Sequence, residues 1–230
     1  MLADLVAYVG HQVHVVRTRE VRTLFDWLGD LRGRRLLDVA GGDGYWAGQA
    51  RKRGATAVCL DLARHKLVRG RTLKDSPYLI EGDALRLPFR DASFDALMSV
   101  CAIEHFPDGA ASLAEMARVT RPGGMLVMSA DALTRAGRWP ELDAGHRGRY
   151  HVVRTYDHAE LAALLDAAGF DVLEHTYLFR TERAERLYLQ LSRHRLAWNV
   201  AAPLAPAVAR ADRRAPNATG SVVCVRARRR

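Results

Sequence analysis

Three aspartates and one glycine-rich loop are the features of this chain best suited to hold a ligand. Asp38, Asp61 and Asp83 each follow an apolar run, and a loop of mostly small residues at 40–44 comes soon after the first of them. Gly and Ala leave room for a ligand to approach the backbone, and Gly also adopts backbone angles that other residues avoid. A helix that begins after such a loop offers unpaired N–H groups to a polar or anionic group. An acid roughly 20 residues beyond a glycine loop is also typical of dinucleotide sites, so the spacing predicts a nucleotide-like ligand.

The elements that must position these acids alternate between strands and helices. Apolar-dominated runs predict strands at 34–40, 56–61, 77–81, 94–100 and 124–130. Strands of this kind with helices between them indicate a parallel sheet covered on both faces, and right-handed crossovers then give a doubly wound α/β fold. Ligands of such folds bind at the carboxyl ends of the strands. The residues expected at those ends are Asp38, Asp61, Asp83 and Cys101.

The motifs, taken in order, resemble those of the class I S-adenosylmethionine-dependent methyltransferases. Asp38, Gly42 and Gly44 match the acid and the second and third glycines of the family's motif I, and Ala40 stands where its first glycine is usual. Because Ala has a Cβ, we expect Ala40 to exclude a positive-φ backbone more than a glycine would. Asp61 ends the second predicted strand and resembles the acid that holds the ribose hydroxyls in this family.

Three later segments resemble the rest of the family's core. The loop at 81–89 carries Asp83, which resembles the residue that accepts from the adenine amino group. Residues 93–105 resemble the fourth strand with its catalytic-face loop, and residues 118–126 resemble the helix end and turn before strand five. The set is most similar to the methyltransferase-11-like group that acts on small molecules, which includes quinone-biosynthesis enzymes.

The resemblance implies the fold, the cofactor and its contacts. We expect one Rossmann-like domain over residues 1–230, with a seven-stranded, mostly parallel sheet, helices on both faces and an antiparallel last strand at 221–225. Residues 34–130 would form the cofactor-binding core and 1–33 a helical cap, while 131–155 (expected to be irregular) and 181–216 would be substrate-side insertions. The implied cofactor is S-adenosyl-L-methionine, and the residues expected to contact it are Asp38, Ala40, Gly42, Gly44, Asp61, Leu62, Asp83, Ala84 and Cys101.

The implied reaction is an in-line displacement that moves a methyl group to a small-molecule or lipid-linked acceptor. His105 follows strand four and is a candidate base, since the unperturbed pKa of histidine lies near neutrality. Tyr150 and His151 are further candidates to line the acceptor site. Arg17 and Arg19 are candidates to close over the cofactor, although a solvated helix face is the favoured interpretation.

Two other functions stay open. Residues 42–47 also match the G-x-G-x-x-G/A pattern of NAD-binding oxidoreductases, although the Asp83 loop has no role in a nicotinamide site. A non-catalytic, cofactor-binding partner subunit is the second alternative, because the sequence identifies no definite base. Nucleic acid is not expected as a substrate, since residues 101–106 stand where base methyltransferases carry Asn/Asp-Pro-Pro-aromatic to hold a flipped base.

The composition gives little indication of binding partners. The formal net charge is +9, in an Arg-dominated chain that is also rich in Ala. We interpret this excess as compositional bias and expect the arginines at 226–230 to form a solvated tail. Cys59, Cys101 and Cys224 lie far apart in predicted strands, so we expect buried thiols, and no spacing indicates a metal site.

The sequence also bears on location. No apolar run approaches the ~20 residues of a membrane span. Met1 to Asp4 lacks a basic stretch, so we expect a cytoplasmic protein without a secretory signal. The basic segment 181–210, with Leu187, Tyr188 and Trp198, can lie at a membrane surface, although a lid or packing helix is the favoured interpretation. The oligomeric state is not predicted.

Overall fold

The fold is built on one seven-stranded sheet. The computed structural model describes residues 15–73, 75–193 and 201–230. Its strands are β1 (Arg35–Val39), β2 (Thr56–Asp61), β3 (Tyr78–Glu81), β4 (Phe94–Val100), β5 (Thr120–Asp131), β6 (Phe170–Leu178) and β7 (Val222–Arg229). Their order across the sheet is β3-β2-β1-β4-β5-β7-β6. The doubly wound α/β fold predicted from the sequence is confirmed.

The strand pairing places the ends of β1, β2 and β4 side by side. β1 pairs in parallel with β2 on one side, with Asp38 opposite Cys59, and with β4 on the other, with Asp38 opposite Met98. β7 runs antiparallel to both β5 and β6, as the family resemblance implied. The order reverses at β1, so the carboxyl ends of β1 and β4 frame the crevice in which ligands of such folds bind.

Helices cover both faces of the sheet. They are α1 (Val15–Leu28), α2 (Tyr45–Lys52), α3 (Arg64–Gly70), α4 (Gly109–Val119), α5 (Pro140–Tyr150), α6 (His158–Ala167), α7 (Glu182–Leu191) and α8 (Ala205–Arg214). Buried side chains of α1, α2, α7 and α8 belong to one hydrophobic cluster, and those of α4 and α6 belong to the other. The described helices include none that is long and apolar enough to cross a membrane.

Local signals explain where several helices begin and end. The α1 stripe of Val21, Leu24, Phe25 and Leu28 is buried, and Gly29, at φ 65°, ends the helix. Asp157 caps α6: its side chain accepts from the Glu160 N–H, while the Glu160 side chain accepts from the Asp157 N–H. Such reciprocal caps satisfy two N–H groups that the helix leaves unpaired.

The segment 131–155 is not irregular, and that expectation was wrong. It contains α5, a helix with a weak apolar stripe whose buried residue is His146. Proline at its start, acids in its first turn and arginines in its last turn favour the helix instead of apolar periodicity.

The C-terminal arginines are not a solvated tail, because β7 inserts between β5 and β6 and extends to Arg229. Arg229 donates to the backbone oxygens of Ala117 and Gly169. Arg230 pairs with Asp166 at 2.7 Å and with Asp171 at 3.1 Å. The prediction of a solvated tail was wrong because the high charge of this segment does not indicate that it pairs as a strand.

Candidate functional site

A cleft of about 1430 Å³ opens at the carboxyl ends of β1, β2 and β4. Its lining combines the glycine-rich loop, the residues after β2, the residues after β4 and the end of α5. Nine of the residues that the sequence singled out line it: Asp38, Ala40, Gly42, Asp61, Leu62, Cys101, His105, Tyr150 and His151. The fold therefore brings the predicted cofactor segments and the predicted acceptor segments to one cavity.

The glycine-rich loop follows β1 through three left-handed residues. Ala40, Gly42 and Gly44 have φ angles of 57°, 65° and 76°. The expectation that Ala40 excludes a positive φ was wrong, since the tight turn from β1 requires this conformation despite its cost to a residue with a Cβ. A Cβ on Gly44 would lie 2.8 Å from Leu79 Cδ2, so this glycine is required for space as well as for φ.

Asp38 lies directly beneath this loop. A Cβ on Gly41 would lie 2.5 Å from the Asp38 Oδ2 atom, which shows how closely the backbone crosses the carboxylate. Asp38 is 1% exposed, and among the described residues no side chain donates a hydrogen bond to either of its oxygens. Burial, reinforced by the charge of Asp61, raises the pKa of Asp38 to about 8. The site thus holds a carboxyl group that a cationic hydrogen-bond donor can stabilise.

Asp61 ties the loop to the end of β2. Its Oδ2 atom accepts from the Gly42 N–H at 2.8 Å, and its Oδ1 atom accepts from the Ala63 N–H at 2.8 Å. The neighbouring Leu62 is 69% exposed and lines the cleft. Asp61 thus offers hydrogen-bond acceptor oxygens to a ligand, next to the apolar surface of Leu62.

Asp83 and Ala84 lie in the loop after β3, where the sequence placed them, but outside the lining of the cleft. Asp83 is exposed, and its side chain accepts from the Leu85 N–H at 2.9 Å. Ala84 is buried. Their contact with a cofactor stays a prediction.

The wall of the cleft formed by the residues after β4 and the end of α5 carries aromatic and imidazole groups. We call it the acceptor side, because the sequence predicted the methyl acceptor there. The Nδ1 atom of His105 lies 3.3 Å from the backbone oxygen of His151, and loss of hydration in the cleft lowers the pKa of His105. Phe106 and Tyr150 line the same side. Cys101 follows β4 with a φ of 44° and lines the cleft, so it is neither in a strand nor fully buried, unlike Cys59 and Cys224.

Arg17 and Arg19 of α1 do not lie on a solvated face. Arg17 lines the cleft and pairs with the buried Glu20 at 2.9 Å. Arg19 pairs with Asp212 of α8 at 2.7 Å, which joins the two helices. The expectation of solvation failed because the helical periodicity of α1 reveals its apolar stripe, but not that Glu20 of the same helix is buried beside Arg17 or that α8 brings Asp212 to Arg19.

A buried polar network lies beneath the acceptor side, and sequence patterns did not predict it. Glu20 accepts from the Cys101 thiol at 2.9 Å and from the Ser129 hydroxyl. Asp131, at the end of β5, accepts from the Tyr188 hydroxyl at 2.6 Å and contacts His146 Nε2 at 2.7 Å. A polar residue inside an apolar strand or helix pattern was the available signal.

Glu104 belongs to the same region. Its side chain is 1% exposed, and burial followed by the charge of Asp131 raises the pKa of Glu104 well above its usual value. Its backbone oxygen accepts from the Val153 and Arg154 N–H groups, which fixes the segment after α5 against the turn after β4.

Comparisons with known proteins agree with this architecture. The methyltransferase domain family matches residues 37–128. A ubiquinone/menaquinone biosynthesis C-methyltransferase of Dinoroseobacter shibae is 32% identical over 186 residues, which cover 67% of this chain and 73% of that protein. A demethylmenaquinone methyltransferase of Beutenbergia cavernae is 37% identical over 108 residues, which cover 47% of this chain and 45% of that protein. The chain spans about half the length of several of the curated relatives that it matches.

A solved structure extends the likeness in fold to nearly the whole chain. The S-adenosylmethionine-dependent methyltransferase of Mesorhizobium loti superposes with a TM-score of 0.65 at 20% identity, covering 94% of this chain and 100% of that chain. The fold, the ordered motifs and the length of the match to the Dinoroseobacter protein lead to one assignment. This chain belongs to the class I S-adenosylmethionine-dependent methyltransferases.

Proposed function

We propose that this chain transfers the methyl group of S-adenosylmethionine to a small-molecule acceptor. The observation that carries the proposal is the Asp38 carboxyl group, which lies buried at the cleft wall and receives no hydrogen bond from a side chain among the described residues. A buried carboxylate without a partner is costly to a fold. The α-ammonium group of S-adenosylmethionine is a cationic donor that can supply the partner.

The neighbouring residues suit the rest of the cofactor. Each oxygen of Asp61 accepts one backbone N–H and has a second lone pair for a ribose hydroxyl. Leu62 offers an exposed apolar surface to the adenine ring. Gly42 leaves the loop backbone open to close approach and Gly44 allows the tight turn beneath it, while Asp83 and Ala84 would read the adenine edge.

The protein's part in the reaction is mainly positioning. When bound, S-adenosylmethionine supplies a methyl group on a sulfonium, which is already a good leaving group. Holding donor and acceptor in line can then provide a large share of the rate acceleration. Cys101, Phe106 and Tyr150 shape the opposite side of the cleft, where the acceptor would lie.

His105 is the proposed proton acceptor when the acceptor atom is an acidic oxygen or carbon. It lines the cleft next to the backbone of His151, so the contact at Nδ1 orients its ring. A base in this position must reach the acceptor proton directly or through one water. Tyr150 and His151 are proposed to line the acceptor rather than to move its proton.

The experiment combines binding with a product screen. Calorimetry should show S-adenosylmethionine binding to the intact chain, and labelled cofactor should transfer methyl to an acceptor in a panel that begins with demethylmenaquinol-type quinols. The first choice follows from the names of two relatives. Cofactor binding without transfer to any acceptor would favour the non-catalytic subunit, and binding of NAD in its place would reject the proposal.

The lipid-linked acceptor and the peripheral membrane contact are separate proposals. The α7 residues Ala184, Tyr188 and Leu189 are buried against the core, which supports a packing role for this helix. Trp198 lies outside the described residues. Co-sedimentation of the intact chain with anionic liposomes tests the membrane contact, and failure to sediment would reject it.

A further inference from the structure

We propose that Cys101, Glu104 and Asp131 form a binding site for one divalent transition-metal ion, with Zn²⁺ as the best match, beneath the acceptor side of the cleft. One candidate ligand atom from each residue lies within 4.8 Å of the other two. The three residues come from the end of β4, the short turn at Ile103–His105 and the end of β5. No spacing rule identifies such a set, because only the fold brings residue 131 next to residues 101 and 104.

Glu104 gives an independent reason to place a cation here. Its side chain is 1% exposed, and its Oε2 atom has no hydrogen-bond partner among the described residues. Buried polar atoms in native proteins are nearly always satisfied. A metal ion shared with Asp131 and Cys101 satisfies this oxygen.

Neighbouring side chains orient the Asp131 carboxylate, as they commonly do for carboxylates that bind metal ions. The Tyr188 hydroxyl donates to Oδ1 at 2.6 Å, and His146 Nε2 lies 2.7 Å from Oδ2. All three side chains are buried. Each carboxylate oxygen keeps a second lone pair, and outer groups of this kind commonly fix the orientation of a metal ligand.

Cys101 decides between classes of metal. Its thiol donates to Glu20 Oε1 at 2.9 Å and would release that proton to solvent on binding as a thiolate. Glu20 keeps Arg17 and Ser129 as partners when this happens. A thiolate with two carboxylates suits Zn²⁺, whereas Mg²⁺ and Ca²⁺ prefer oxygen ligands alone.

The position of the site suggests its use. Because Cys101 also lines the cleft, a hydroxyl or thiol group of an acceptor can complete the coordination of the ion. A bound metal ion makes such a group easier to deprotonate and orients it. This use depends on the proposed methyl transfer, whereas the metal site itself does not.

The test measures metal directly on the intact, untagged chain. The protein is stripped with a chelator, incubated with Zn²⁺, dialysed and analysed for bound metal, and Co²⁺ then replaces Zn²⁺ as a spectroscopic probe. We expect one Zn²⁺ per chain and a near-ultraviolet band from thiolate coordination of Co²⁺. Cys101→Ser should abolish the band, and the isosteric Glu104→Gln should lower the affinity for Zn²⁺ at least tenfold.

The controls separate this site from loss of fold and from other metal-binding groups. Cys224→Ala and Glu115→Gln remove a thiol and a carboxylate elsewhere and should leave one Zn²⁺ bound. Tyr188→Phe should weaken Zn²⁺ binding by roughly tenfold, since it removes a group that orients Asp131. Thermal unfolding of each variant verifies that it remains folded.

The outcomes are decisive for the metal site alone. A wild-type chain that binds no Zn²⁺, or a folded Cys101→Ser variant that keeps both the ion and the Co²⁺ band, overturns the proposal. Calorimetry with S-adenosylmethionine on the same samples reports on the proposed function separately, because Glu104→Gln should leave cofactor binding unchanged.

Discussion

The cofactor side and the acceptor side of the cleft are assembled in different ways. On the cofactor side, Asp38, Gly42 and Asp61 lie at two adjacent strand ends and in the loop between them, and Asp61 bonds a backbone only 19 residues away. On the acceptor side, Ser129 bonds Glu20 across 109 residues, and Tyr188 bonds an acid 57 residues away. The cofactor side is thus encoded locally, while the acceptor side depends on tertiary packing. Substitutions should separate the two functions accordingly.

The largest effect is expected from Asp38→Asn, which should raise the stability of the fold and lower the affinity for S-adenosylmethionine. The folded-state pKa of Asp38 is about 8, well above its unfolded value of about 4, so between these pH values the folded chain keeps a proton that the unfolded chain releases. The free energy of unfolding is therefore highest below about pH 4 and falls as the pH rises to 8. At pH 8 the variant should therefore be more stable than wild type, on the order of several kcal/mol, since one pKa unit corresponds to about 1.4 kcal/mol. Its affinity for S-adenosylmethionine should fall by about 100-fold, through loss of a charge-assisted bond. Chemical unfolding and calorimetry measure the two changes, and a less stable variant would contradict the role assigned to this carboxyl.

Gly44→Ala should destabilise the fold by about 2–3 kcal/mol, because it adds left-handed strain and a steric clash. The new Cβ would lie 2.8 Å from Leu79 Cδ2 and 2.9 Å from Pro77 Cγ. Gly29→Ala is the matched control: its φ is 65°, but nothing lies within 4 Å of the new Cβ, so only the strain remains. Urea unfolding compares the two, and equal losses would show that space at Gly44 is not limiting.

Cofactor affinity should depend on pH through Asp38. Since bound ammonium favours the ionised carboxyl, the affinity for S-adenosylmethionine should rise roughly tenfold per pH unit below 8. Isothermal titration between pH 6 and pH 7 measures this slope, and proton uptake by the buffer should accompany binding. Persistence of the same slope in Asp38→Asn would assign it to another group.

Tyr188→Phe tests the acceptor side. It should cost about 1–2 kcal/mol of unfolding free energy, because Asp131 Oδ1 loses the Tyr188 hydroxyl as a hydrogen-bond donor in a buried site. Affinity for S-adenosylmethionine should not change. Tyr78→Phe, at a side chain that is 64% exposed, should alter neither quantity. A parallel drop in cofactor affinity in Tyr188→Phe would show that the two sides of the cleft are not independent.

The smallest effect is expected from Ala40→Gly, which restores the usual motif. Relief of left-handed strain, about 1–2 kcal/mol, is offset by the greater freedom of glycine in the unfolded chain, about 0.4–1 kcal/mol. The variant should therefore gain between zero and about 1.6 kcal/mol in unfolding free energy. A clear loss of stability, measured by urea unfolding, would mean that the Ala40 methyl group makes contacts that outweigh its strain.

The same contrast explains what sequence reasoning reached. Strands that carry Asp38 and Asp61 at their carboxyl ends are local patterns, so the sheet and the meeting of these two acids at one cleft were predictable. The φ of Ala40 was not, since the turn geometry overrides the preference of a single residue. The weak apolar stripe of α5 hid a helix, and its buried His146 meets Asp131 only after folding. Hydrophobic periodicity does not reveal such a pair, because each partner is an isolated polar residue in its own segment.

The insertion of β7 between β5 and β6 also sets an order of events during synthesis. Within the part of the chain that the structure describes, β6 pairs with β7 and no other strand, so it has no place in the sheet until residues 222–229 have been made. Until then the hydrogen-bonding edge of β5 stands open, and open edges invite pairing with other chains. The arginines of β7 and its flank, which pair with Asp166, Asp171 and Glu174, complete this closure by bringing charge to a strand whose first half is apolar. Nascent chains of this protein should therefore need protection from association until β7 emerges.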